Sequence, residues 1–183
     1  MWETAEPQTL DEIRDWYRNL LDALVQQRAS IKDAIRKDLA VSFRYLGMTE
    51  TEVDELYDAD QRELDRLTML NLVASVEGTI KQDYHQRIHK RLRDPLSKAY
   101  QKWHATLSHK KRLRPDFDEQ GILEFLKKSE WVDRHVIGQF RVCLPTRHWV
   151  GHGRYWNRPL EINKLDPDEV YDRAQALLTA LPI

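Results

Sequence analysis

From residue 53 to residue 92 one apolar stripe recurs at helical spacing through Val53, Leu56, Leu64, Leu67, Leu70, Val73, Val76, Ile80, Tyr84, Ile88 and Leu92. Steps of three, four or whole turns are the period of an α-helix, and no strand can keep such a set on one face. Thr49 with Glu52 supplies a capping box at the start, and Asp94-Pro95 supplies the stop. A helix of roughly 45 residues would be ~65 Å long, so the stripe alone commits the chain to helices packed along a long axis. Gly78 is the expected weak point.

The flanking segments follow the same period. Thr9 with Glu12 opens a first helix through Ile13, Trp16, Tyr17, Leu20, Leu21, Leu24, Ile31, Ile35 and Leu39, with Gly47 as its stop. Pro95 can begin a third helix carrying Leu96, Ala99, Tyr100, Trp103 and Leu107, closed by Arg114-Pro115. Asp116 with Glu119 is expected to cap a short helix holding Ile122, Leu123 and Leu126, and residues 132–144 read as another. Asp166-Pro167-Asp168-Glu169 starts a last helix through Val170, Ala174 and Leu177. Pro145 would either kink a helix or begin a new one. No run alternates with period two. The fold class is therefore all-α, a helical bundle, with residues 1–183 as one domain and a loop near 154–165.

Composition narrows the function classes. Of 183 residues, 41% are hydrophobic and 32% charged, and the single cysteine, Cys143, excludes an internal disulfide framework. Cys143 itself reads as a small core residue. No apolar stretch approaches the ~18 residues that span a bilayer, and the acidic start MWETAEPQTL lacks the charged and apolar regions of a signal peptide. A cytoplasmic location without membrane contact is expected.

Net charge is −1, from 29 Lys+Arg and 30 Asp+Glu, but the total hides an asymmetry. Residues 1–80 hold 17 acidic and 9 basic side chains, residues 81–158 hold 8 and 18, and residues 159–183 hold 5 and 2. All seven histidines lie in the basic block. Such a block either faces a polyanion or packs beside the acidic segment. Within it, residues 81–114 carry eleven basic and two acidic residues. Arg87, Lys90, Arg91, Lys110 and Lys111 are its candidate phosphate contacts. His85 and His89 share a helix face, but the spacing lacks the glutamate of a zinc protease motif and the surrounding cations disfavour a metal.

The stretch PTRHWVGHGRYWNR, residues 145–158, interleaves Arg147, Arg154 and Arg158 with Trp149, Tyr155 and Trp156, and adds His148 and His152. Guanidinium groups among aromatic faces suit RNA, in which phosphates and unstacked bases are both presented. The tryptophans could equally be core residues. Arg147 and His152 form an R-x4-H pattern, the only one in the chain, lying roughly 140° apart on an ideal helix. His148 and His152 are four residues apart and share a face.

At RHWVGHG, residues 147–153, the chain resembles the HEPN superfamily, in particular its prokaryotic defence and toxin branches. The resemblance covers the motif closely and the helical order of residues 50–155 loosely, so residues 48–158 would be a HEPN-like core between an N-terminal helix (1–47) and a loop with C-terminal helix (159–183). It implies a metal-independent endoribonuclease needing no cofactor, with Arg147 and His152 catalytic and His148 supporting. A histidine takes a proton near neutral pH and a guanidinium holds phosphate oxygens as charge builds, which is what cleavage by the RNA 2′-OH requires. The resemblance also implies a homodimer with a composite site, and Glu77 as an acidic residue that orients Arg147. Arg154 and Tyr155 would contact RNA. Some branches are modified by an antitoxin at a tyrosine two residues after the histidine; Arg154 holds that place here and Tyr155 follows it. A non-catalytic module binding RNA, a nucleotide or a protein partner is the alternative reading.

Overall fold

The computed structural model describes residues 8–153 and 165–182, and these form an all-α bundle with no strand among the described residues. Its helices are α1 (Leu10–Arg36), α2 (Glu50–His89), α3 (Pro95–Thr106), α4 (His109–Leu113), α5 (Ile122–Lys128), α6 (Arg134–Arg141), α7 (Leu144–Gly151) and α8 (Pro167–Ala180). No helix among the described residues is long and apolar enough to cross a membrane.

Helix starts follow local chemistry. Thr9 and Thr49 each make the reciprocal capping box with the glutamate three residues on. Asp94 and Asp166 cap α3 and α8, each just ahead of a proline whose missing N–H is no loss in a first turn. Pro145 likewise lies in the first turn of α7, so it begins a new helix.

Helix boundaries depart from expectation in four places, one of them the segment opened by Pro95, which stops at Thr106 and resumes as the separate α4 instead of running on to Arg114. Helix α1 stops at Arg36, where Asp38 takes a φ of 51°, while Gly47 sits at φ 77° inside the connection to α2. Helix α2 runs through Gly78 without a break and ends at His89, with Arg91 at φ 49° and Leu92 exposed beyond it. Packing on both sides of α2 outweighs the glycine's weak helix propensity. The cap of α5 is Gly121, not Asp116: the Ile122 amide donates to the Asp116 carbonyl at 3.0 Å, and a Cβ at Gly121 would stand 2.1 Å from that oxygen.

Helices α1 and α2 run antiparallel, since contacts at Gln8–Ser75, Tyr17–Asp65, Arg28–Asp58 and Arg36–Glu50 step in opposite directions. Their far end packs a satellite cluster of Tyr45, Val53 and Tyr57, flanked by Leu24, Ile31 and Ile35. The main core lies at the other end of α2, where Met69, Leu72, Val73, Val76, Ile80 and Tyr84 meet the apolar faces of α3, α5, α6 and α8. Trp16, Leu20 and Leu67, placed on the apolar stripes by spacing, are about two-fifths exposed.

Candidate functional site

Two charged residues of α2 are buried, and they have different partners. Arg87, 7% exposed, pairs with Asp83 at 2.7 Å and Asp94 at 2.9 Å and donates to the Pro182 carbonyl at 2.7 Å. It ties α2, the α3 cap and the end of the chain together. Arg87, a candidate phosphate contact by sequence, is thus placed with its guanidinium engaged by groups of its own chain. Burial raises the pKa of Asp83, partly offset by Arg87.

Glu77, one helical face away and 9% exposed, uses both carboxylate oxygens. Its Oε1 accepts from Lys81 Nζ at 2.6 Å and its Oε2 lies 2.9 Å from Arg147 Nη2. Arg147 projects from α7, which packs on α2 and buries Thr146 and Trp149; Arg66 of α2 lies over the Trp149 ring at 5.8 Å. Of the two readings for Trp149, the structure gives the core one.

Glu77, Lys81 and Arg147 floor a cleft of about 640 Å³ between α2, α7 and the 114–119 segment. Lys81, Arg114 and Arg147 give it cationic groups, and His148 adds an imidazole. The segment opposite adds Asp116, Asp118 and Glu119, so the cleft is mixed in charge. That segment is anchored by buried Pro115 and Phe117 and by ion pairs from Lys111 to Asp116 at 3.1 Å and from Arg141 to Asp118 at 2.7 Å.

The R-x4-H pair does not meet in this cleft within one chain. His148 lines the cleft, while His152, at the C-cap of α7, is exposed and outside its lining. Its amide donates to the His148 carbonyl at 3.1 Å, and the two imidazoles lie parallel, 6.3 Å apart. The helix phase explains this: Arg147 turns toward Glu77, and the next turn carries His152 onto the His148 side. Burial lowers the pKa of His148, with Arg147 and His152 adding to the effect.

Arg91 and Lys110 are exposed and stand outside the cleft lining, and Lys111 meets the cleft only through Asp116. Arg154 and Tyr155 lie outside the described residues. His85 and His89 gather no third ligand: among the described residues no three His, Cys, Asp or Glu side chains are placed to hold a metal ion. Sequence reasoning did not single out Lys81 or Arg114. Lys81 could have been found from its place four residues after Glu77, a spacing at which opposite charges meet on a helix.

Comparison with protein-family models, with curated proteins and with solved structures finds no match.

Proposed function

We propose that the chain is a metal-independent endoribonuclease of HEPN type, with a place in defence or toxin–antitoxin systems. The observation that supports it most is the juxtaposition of Arg147 and His148 of the RHWVGH run in one cleft, with Arg147 held by a nearly buried carboxylate. In this reading a histidine removes the 2′-OH proton, the freed oxygen attacks the adjacent phosphorus, and the P–O5′ bond breaks. The products are a 2′,3′-cyclic phosphate and a 5′-OH, the latter taking its proton from a second histidine acting as acid. Arg147 stabilises the charge on the non-bridging oxygens. His152, exposed at the end of α7, is the catalytic histidine, and a second copy of the chain in a homodimer completes the composite site. The depressed pKa of His148 keeps it neutral near pH 7, which suits a supporting role beside a proton acceptor.

The alternative, a module that binds RNA, a nucleotide or a protein partner without cleaving it, is favoured by the position of His152 outside the cleft that Arg147 lines. RNA incubated with purified protein from about pH 5 to about pH 9 separates the two readings. Metal-independent cleavage, lost in His152→Ala and Arg147→Ala and retained with EDTA, is the expected result. Tight, salt-sensitive binding without product, unchanged by His152→Ala, would instead establish the binding module.

A further inference from the structure

The carboxylate that holds Arg147 also holds Lys81, and the two cations outnumber it. Glu77 reaches Lys81 Nζ at 2.6 Å with one oxygen and Arg147 Nη2 at 2.9 Å with the other. The Glu77 side chain is 11% exposed, whereas those of Lys81 and Arg147 keep 35% and 33% of their surface open. The anion is thus enclosed and the cations face the cleft, so this trio carries one net positive charge, across from the acidic edge of Asp116, Asp118 and Glu119. Both nitrogens are tied to one carboxylate, which keeps the two cationic groups neighbours on the cleft floor. The Arg147 guanidinium and the Lys81 ammonium each keep N–H donors beyond those that face Glu77, so a phosphate group can accept from both at once.

We infer that Lys81 is a phosphate-binding residue of this cleft, presented together with Arg147 by Glu77 and taking a non-bridging oxygen of the RNA backbone. Glu77 is then a positioning residue for two cations. The identity of the ligand rests on the ribonuclease reading; the convergence of the two cations does not.

The test is binding rather than cleavage. A fluorescent oligoribonucleotide with 2′-O-methyl groups throughout cannot be cut, and its anisotropy is followed across a salt series. Lys81→Met is expected to weaken binding about fivefold and to lower the slope of log K against log salt by about 0.7, the value for one phosphate contact on a single strand. Lys81→Arg restores both. In the unmutated protein, bound RNA protects Lys81 from acetylation, read by mass spectrometry, which keeps the test open if Lys81→Met folds poorly. An unchanged slope in Lys81→Met, or equal acetylation of Lys81 with and without RNA, overturns the assignment and leaves the ribonuclease reading standing. A parent protein that neither binds nor cuts RNA overturns both.

Discussion

Glu77, in the middle of the longest helix, and Arg147, seventy residues later on a short one, form an ion pair with Nη2 and Oε2 2.9 Å apart. This contact fixes the arginine of the RHWVGH run against α2 and sets which way that run faces. A guanidinium is held in one orientation only when its partner is itself immobile, and Glu77 is nearly buried.

Removing that partner should therefore act on stability and on chemistry together. Glu77→Gln keeps the shape but leaves Arg147 and Lys81 close to each other without the intervening negative charge. A loss of about 1–3 kcal/mol in urea unfolding, with an unchanged m-value, is expected. Any RNA cleavage should fall at least about tenfold, since the arginine is no longer aimed. Cleavage equal to the parent's would show that the ion pair only braces the fold.

Arg87 and Lys110 offer a contrast between two cations that the sequence placed in one class. Arg87→Ala leaves Asp83 buried without its partner and opens the α2, α3 and Pro182 junction, which should cost about 3 kcal/mol in chemical denaturation. Lys110→Glu, on an exposed face, should change stability by less than about 0.5 kcal/mol. If Arg87→Ala unfolds at the parent's urea midpoint, the hub assigned to it is wrong.

Acid should destabilise the fold through histidine. Burial lowers the pKa of His85, His104 and His148, and neighbouring cationic groups lower each further. A folded pKa below the unfolded value of about 6.5 means that the unfolded chain binds more protons in that window. Their contribution is thus fully present above about pH 6.5 and is lost as the pH falls below it. His104 also shares a 2.6 Å hydrogen bond with the hydroxyl of buried Tyr84. Urea midpoints measured from about pH 7 to about pH 5 should decline, and the decline should be shallower in the double variant His85→Gln, His104→Gln. A slope identical to the parent's would remove these two groups as its source.

Cys143 is fully buried, and burial pushes its thiol up to about 11. Near neutral pH the thiolate is scarce and the sulfur out of reach, so a disulfide reagent should label it only at the rate of unfolding. Rapid stoichiometric labelling of folded protein would mean that the α6–α7 junction opens far more often than its packing implies.

Most of the helices and their starts are legible in local sequence. Thr9, Thr49, Asp94 and Asp166 cap with groups within three residues, and such contacts need no distant partner. The spacing of apolar residues likewise fixed which face of α2 would be buried around Val73, Val76 and Ile80. Glu77 was legible as an acidic residue in an apolar run, and the cluster of Arg147, His148 and His152 was legible as a motif. Tertiary structure alone decided how these groups are used. Arg87 and Arg91 look alike in sequence, yet one is enclosed by Asp83, Asp94 and Pro182 and the other is exposed. The packing of Thr146 and Trp149 set the phase of α7, bringing His148 to the cleft and leaving His152 outside its lining. Lys81, Arg114 and the acidic 116–119 edge joined the site because a loop anchored by Phe117 returned to α2. Caps and periodicity are written within a few residues of one another, whereas a cleft is made by side chains whose meeting depends on the phase and docking of separate helices.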